Sequence, residues 1–126
     1  MQEWNDLVFF DKKNATRSSE KTITLYLTTA KTVNMAFNSS MAKSIEEEYM
    51  NIAYSKQRNA IVIFFSNEEG PNSYKLMKRS RGCTIPIQKF LNSFNLDKQK
   101  IIGKYKPLED IINDKFAWII NLRQEL

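Results

Sequence analysis

Residues 31–65 read KTVNMAFNSSMAKSIEEEYMNIAYSKQRNAIVIFF, and this stretch decides the fold. It begins with a short strand pattern and continues into a short amphipathic helix. Asn38 is a good N-cap for that helix, and Met41, Ile45 and Tyr49 fall on one helical face. Three consecutive glutamates near its end oppose the helix dipole, so we expect the helix to be short.

The end of this stretch predicts a β-hairpin. Apolar residues alternate over 50–54 and again over 61–65, and the polar turn Lys-Gln-Arg-Asn separates the two runs. Residues 60–65 are apolar on both faces, which is typical of a central strand that is buried on both sides.

The second half of the chain repeats this order of elements. Residues 82–122 begin with GCTIPI, continue into a helix with apolar Phe90, Leu91 and Phe94, and end in a second hairpin. A unit of about 40 residues is too small to bury a useful core alone, so we expect two copies to share one. The units run approximately over 22–66 and 73–122, and the loop at 67–72 joins them.

The fold class predicted from these patterns is α+β. It consists mostly of antiparallel strands with two short helices, arranged as two β-β-α-β-β units around one barrel-like core. Residues 23–27 alternate as a first strand, and Pro86 suits a first helical turn. Residues 98–106 read as a basic connector, 105–112 as one strand, and Pro107 confines that strand to an edge or a bulge.

Length and composition place the whole chain, residues 1–126, in one domain. Hydrophobic residues make up 42% of it, which is enough for a core. We expect the apolar N-terminal cluster around Trp4 and Phe9 to pack on the domain, and residues 12–21 to form an exposed loop. There is no signal-peptide pattern and no membrane-spanning run, and the single Cys83 reads as a small core residue in a reducing, cytoplasmic setting.

Most catalytic chemistry is missing from the sequence. It has no histidine, one cysteine and three scattered glycines, which excludes histidine-based triads, most zinc sites and phosphate-cradling loops. Paired carboxylates at 46–48, 68–69 and 109–110 leave a metal nuclease as a disfavoured alternative. We therefore expect a protein that is not an enzyme, with no cofactor and no metal site.

The net charge of +5 favours a polyanionic partner. The densest cluster of basic residues predicts a strand and turn that bind phosphates, and one further lysine lies on the next helix. These residues are Lys75, Lys78, Arg79, Arg81 and Lys89. Tyr26 and Tyr74 are candidate stacking residues on neighbouring strands. The alternative is that these cations form an ordinary solvated edge that guards against aggregation. A second basic group at 98–106 reads as a solvated connector.

The segment GCTIPIQKFLNSFNL at 82–96, followed by a hairpin, resembles the AbrB/SpoVT/MraZ group of swapped-hairpin DNA-binding domains. This resemblance implies an interlaced barrel of two β-α-β-β units, a role in transcription regulation, and DNA contacts from arginines around the Ile-Pro strand. By position, Lys78, Arg79 and Arg81 precede that strand and Lys89 follows it. In this chain the two units would form a tandem duplication.

The sequence thus predicts a small basic nucleic-acid-binding protein. DNA is favoured over RNA as the partner, and the role is that of a regulator or accessory replication factor. Whether the DNA is single- or double-stranded, and whether the protein forms a homodimer, stay open. Heavy use of Lys, Asn and Ile suggests an AT-rich source such as a phage or plasmid. The alternative is a protein-interaction module or inhibitor, for example a phage protein that targets a host enzyme, with Trp4 and Phe9 as anchors.

Overall fold

The computed structural model describes residues 20–77 and 82–122, and these ranges contain nine strands and three short helices. In chain order the elements are β1 (Ile23–Leu27), β2 (Val33–Phe37), α1 (Ser39–Ser44), β3 (Tyr49–Ser55), β4 (Ala60–Ser66), β5 (Tyr74–Lys75), β6 (Cys83–Pro86), α2 (Gln88–Ser93), α3 (Lys98–Ile101), β7 (Gly103–Tyr105), β8 (Leu108–Ile112) and β9 (Lys115–Asn121). Among these residues, no helix is long and apolar enough to cross a membrane.

The strands form two antiparallel sheets. The four-stranded sheet has the order β6-β2-β1-β7, and the five-stranded sheet has the order β5-β3-β4-β9-β8. This confirms the α+β class with mostly antiparallel strands. The described strands do not close into the expected barrel-like core, and the helices number three rather than two.

The two sheets pack on each other through their inner faces. In β1 and β2, residues alternate between fully buried and partly exposed, because successive side chains of a strand point to opposite faces. Phe37 of the four-stranded sheet meets Phe65 of the five-stranded sheet edge-to-face, with ring centroids 6.0 Å apart. One hydrophobic core therefore joins both halves of the described chain.

The hairpin of β3 and β4 forms as the sequence predicts. All seven residues of each strand are paired, from Tyr49 opposite Ser66 to Ser55 opposite Ala60. β4 is central in its sheet, but the expected burial on both faces is wrong. Ile61 and Ile63 are fully buried, whereas Val62 and Phe64 on the outer face keep part of their surface exposed.

The predicted helix starts are confirmed in one case and wrong in the other. The Asn38 side chain caps α1 by accepting a hydrogen bond from the Met41 amide at 2.9 Å, and α1 ends before the glutamates, as expected. Tyr49, expected on the face of this helix, is the first residue of β3 instead. Pro86 is the last residue of β6, and α2 begins at Gln88.

The segment expected to be a basic connector carries two regular elements. Asp97 caps α3 by accepting a hydrogen bond from the Gln99 amide at 3.0 Å, and β7 then pairs with β1. The strand expected over 105–112 is divided at Pro107, so that β7 joins one sheet and β8 the other. β8 is the edge strand that Pro107 predicts.

Gly82 allows the chain to enter β6 against the end of β2. Its φ is +131°, which residues with side chains rarely adopt, and a Cβ atom there would overlap the Phe37 carbonyl oxygen. The next residue, Cys83, is buried in the core as predicted.

The two halves of the chain correspond in part, although α3 and β7 have no counterpart between α1 and β3 in the first half. α1 and α2 have six residues each, and β4 and β9 have seven each. The strands that precede these helices pair with each other, with Met35 opposite Ile85. β4 and β9 also pair, with Ile63 opposite Trp118.

Candidate nucleic-acid interface

The structure separates the basic residues that the sequence groups together. Lys75 lies on β5, at the edge of the five-stranded sheet, and Lys89 lies exposed on α2, beside the four-stranded sheet. Lys78, Arg79 and Arg81 lie outside the described residues. The described members of the predicted cluster therefore belong to different layers of the fold.

The two candidate stacking tyrosines are also apart, and their expected placement on neighbouring strands is wrong. Tyr26 lies on β1, whereas Tyr74 lies on β5 in the other sheet, opposite Met50. Tyr74 is half-buried and packs against the core. Of the two, only Tyr26 presents its ring on a solvent-facing sheet surface, with 38% of the residue exposed.

Tyr26 belongs to the outer face of the four-stranded sheet. The register places two rows of side chains across this face, and its members are Lys104, Thr24, Ala36 and Thr84 in one row and Tyr26, Asn34 and Pro86 in the other. The Asn34 amide donates a hydrogen bond to the Tyr26 hydroxyl at 3.3 Å, which holds the ring beside the second row. None of these seven side chains is acidic.

One exposed lysine lies on this face, and others lie on the helices that follow β6. Lys104 lies on it, and Lys89 and Lys100 are exposed on the helices that follow β6. The Lys98 ammonium donates a hydrogen bond to the Lys31 carbonyl oxygen at 2.6 Å, so the start of α3 is bound to the turn between β1 and β2. A surface of this kind offers ammonium groups to phosphates and a ring to a base.

Charge is divided between the two layers of the fold. Residues 20–45 and 82–107, the four-stranded layer, carry eight lysines against Glu20 and Asp97, a net charge of +6. Residues 46–77 and 108–122, the five-stranded layer, carry four cations against eight carboxylates, a net charge of −4. The two layers therefore carry net charges of opposite sign.

The paired carboxylates, which kept a metal nuclease among the alternatives, do not assemble into a site in the described part of the chain. No group of three or more carboxylate or cysteine side chains there is arranged to hold a metal ion. Two carboxylates instead pair with lysines: Glu109 with Lys21 between the two layers at 3.7 Å, and Glu20 with Lys106 within the four-stranded layer at 3.2 Å.

Comparison with known proteins gives no match: no family model, no curated protein and no solved structure is similar to this chain. The candidate interface therefore rests on the chain's own geometry and charge. Sequence reasoning missed the outer face of the four-stranded sheet because it sought cations that are close in sequence. The signal was present in the four strands themselves, which contain no acidic residue.

Proposed function

We propose that this protein is a non-enzymatic nucleic-acid-binding protein that binds DNA in preference to RNA. A regulator or accessory replication factor of a phage or plasmid is the role that fits its size and charge. The observation that carries the proposal is the division of charge, with +6 on the four-stranded layer and −4 on the five-stranded layer. A polyanion is attracted to the first layer and repelled by the second.

In the proposed complex the phosphate backbone crosses the outer face of the four-stranded sheet. Lys89, Lys100 and Lys104 neutralise phosphates, and the basic residues at 78–81 immediately precede β6 at the edge of this sheet. Tyr26 stacks on a base where the nucleic acid is single-stranded. Lys75 and Tyr74, on the other sheet, have no part in this surface.

The correspondence between the two halves supports an internal duplication. Equal lengths of α1 and α2 and of β4 and β9, together with the pairing of β2 with β6 and of β4 with β9, are what two copies related by a pseudo-twofold axis would produce. The Ile-Pro segment that resembles the AbrB/SpoVT/MraZ group lies in β6, which pairs with β2. We propose that one chain combines two half-units that the resembling proteins supply from two chains, so a homodimer is not required.

The test is a pair of triple variants that remove the same charge from different layers. Lys89→Ala/Lys100→Ala/Lys104→Ala changes the four-stranded layer, and Lys56→Ala/Arg58→Ala/Lys115→Ala is the control in the five-stranded layer. All six residues are exposed. We expect the first variant to reduce the slope of log K against log salt concentration by about 1 for each lost phosphate contact. The control should change the slope much less.

The measurement is fluorescence anisotropy with single- and double-stranded oligonucleotides over a series of salt concentrations. Equal effects of the two variants would show that binding is not localised to the four-stranded layer. If the wild-type protein bound neither form of DNA at low salt, the proposal would fail and the protein-interaction alternative would be favoured.

A further inference from the structure

A cleft opens where two central strands of the five-stranded sheet separate. β4 and β9 are paired as far as Phe64 opposite Ala117, but β4 continues to Ser66 and β9 begins at Lys115 without pairing there. The cleft between these strand ends has a volume of about 800 Å³. Most of its lining belongs to the five-stranded layer, and Lys21, Ser44 and Ile45 of the four-stranded layer lie at its border.

The walls of this cleft are aromatic. Phe64, Phe65, Phe116 and Trp118 line it, and the rings of Phe116 and Trp118 meet edge-to-face at 6.5 Å. Phe116 is 58% exposed, a large fraction for an aromatic residue within a strand. Covering such a surface with apolar side chains is favourable, because it removes apolar area from water.

The rim of the cleft is acidic and already binds one cation. Four glutamates line it, namely Glu47, Glu68, Glu69 and Glu109, together with Lys21 and Lys115. The Lys21 ammonium lies 5.2 Å from the centroid of the Trp118 ring and 3.7 Å from a Glu109 oxygen. This pair shows how the cleft holds an ammonium group, between a ring face and a carboxylate.

We propose that this acid-rimmed cleft is the docking site of the chain's own N-terminal segment, residues 1–19. The described chain starts at the cleft, because Lys21 is one of its lining residues. Ten residues separate Phe10 from Lys21, and the eleven Cα-to-Cα steps between them span at most about 36–40 Å when extended, which is enough to return into the cleft.

The composition of residues 1–19 complements the cleft. Five large apolar residues suit the aromatic walls, namely Trp4, Leu7, Val8, Phe9 and Phe10. Lys12, Lys13 and Arg17 follow them and suit the glutamate rim, while Glu3, Asp6 and Asp11 leave the side chains of the segment without net charge, so the match rests mainly on the apolar residues. Because the segment is tethered beside its site, its effective concentration there is in the millimolar range, which favours it over a second copy or a free peptide.

The test uses the full chain with a spin label in the segment. Cys83→Ala removes the native thiol, Asn5→Cys provides the attachment point, and amide line broadening is measured by NMR. We expect the strongest broadening at Ser66, Phe116 and Trp118, and little at Thr84 on the outer face of the four-stranded sheet. A control sample mixes spin-labelled chains without ¹⁵N with ¹⁵N-enriched chains that carry no spin label. The amide lines of the ¹⁵N-enriched chains should show no broadening.

Two added substitutions locate the effect. Phe116→Ala removes the exposed wall of the cleft and should abolish the broadening at Ser66. Leu108→Ala, 51% exposed on β8 but outside the cleft, should leave it unchanged. Broadening in the mixed sample would instead identify a second copy as the occupant. Absence of broadening at the cleft in the singly labelled protein would leave the cleft to a different partner, and either result would overturn the proposal.

Discussion

At the scale of single residues, Gly82 is the position at which the backbone tolerates no side chain. Its φ is +131°, and an added Cβ would overlap the Phe37 carbonyl oxygen. We expect Gly82→Ala to lower the free energy of unfolding by about 1–3 kcal/mol from backbone strain, with a further loss from displacement of β2. Urea denaturation followed by circular dichroism measures this change.

Gly70 is the matched control for this substitution. It has nothing within 4 Å of an added Cβ and no positive φ. Gly70→Ala should therefore change stability by no more than about 0.5 kcal/mol. Similar losses for the two variants would contradict the close approach of β2 and β6 at Gly82.

Tyr26 is the residue whose ring we expect to stack on a base. If it does so, Tyr26→Ala should weaken binding of single-stranded DNA by about 1–3 kcal/mol, which is a factor of roughly 5 to 150. Tyr26→Phe keeps the ring but loses the hydrogen bond from Asn34, and should retain most of the affinity. Titration with a fluorescent oligonucleotide distinguishes the two, and equal losses would assign the role to the hydroxyl group.

Residue-level predictions succeed where the cause is local. The capping role of Asn38 follows from its own side chain and the adjacent amides, so sequence alone reveals it. The placement of Tyr74 beside Tyr26 failed because it depends on which sheet each strand joins. Nothing within a few residues of either tyrosine determines that pairing.

At the scale of elements, α1 depends on one side chain that makes three hydrogen bonds. The Asn38 oxygen accepts from the amides of Met41 and Thr22, at 2.9 and 3.2 Å, and its amide donates to the Glu20 carbonyl oxygen at 2.7 Å. We expect Asn38→Ala to cost at least about 1–2 kcal/mol, because it uncaps α1 and also releases the start of β1. Thermal and urea denaturation measure the loss.

Asn38→Asp separates the two roles of this side chain. Aspartate keeps an acceptor for the Met41 and Thr22 amides but cannot donate to Glu20. Its cost should be smaller than that of alanine. A cost as large as that of alanine would show that the bond to Glu20, rather than the helix cap, dominates.

Elements were predictable where periodicity and turn residues agree. The hairpin of β3 and β4 has alternating strands and a polar turn, and its register follows. α3 and β7 were missed because four and three residues are too few to show a period. The Asp97 cap was the one local signal for α3.

At the scale of the whole molecule, the shared core predicts that the two sheets unfold together. Ile63, on β4, is fully buried in that core. Ile63→Val should lower stability by about 0.5–1.5 kcal/mol. Hydrogen exchange should show the same loss for the slowest amides of both sheets, for example those of Val62 and Leu25.

Ile119→Val makes the same chemical change on the half-exposed outer face of the five-stranded sheet. Its effect should be smaller, because less of the removed methylene is buried. If Ile63→Val affected only amides of the five-stranded sheet, the two sheets would be separate cooperative units, against the single core.

The assembly of the sheets was the least predictable level. That β2 pairs with β6 and β4 with β9 is settled by contacts between residues about 50 positions apart. Periodicity within each strand carries no information on such partners. The division of charge between layers was hidden for the same reason, because it appears only when distant segments are assigned to their sheets.

The division of charge gives the molecule an electric dipole moment that its modest net charge conceals. A polyanion nearby exerts a torque as well as an attraction, so the protein turns its four-stranded layer forward before contact. The same dipole lets the protein adhere to both cation and anion exchangers at low ionic strength. Copies bound side by side on one strand would have parallel dipoles with like charges facing, so the dipole opposes their close packing.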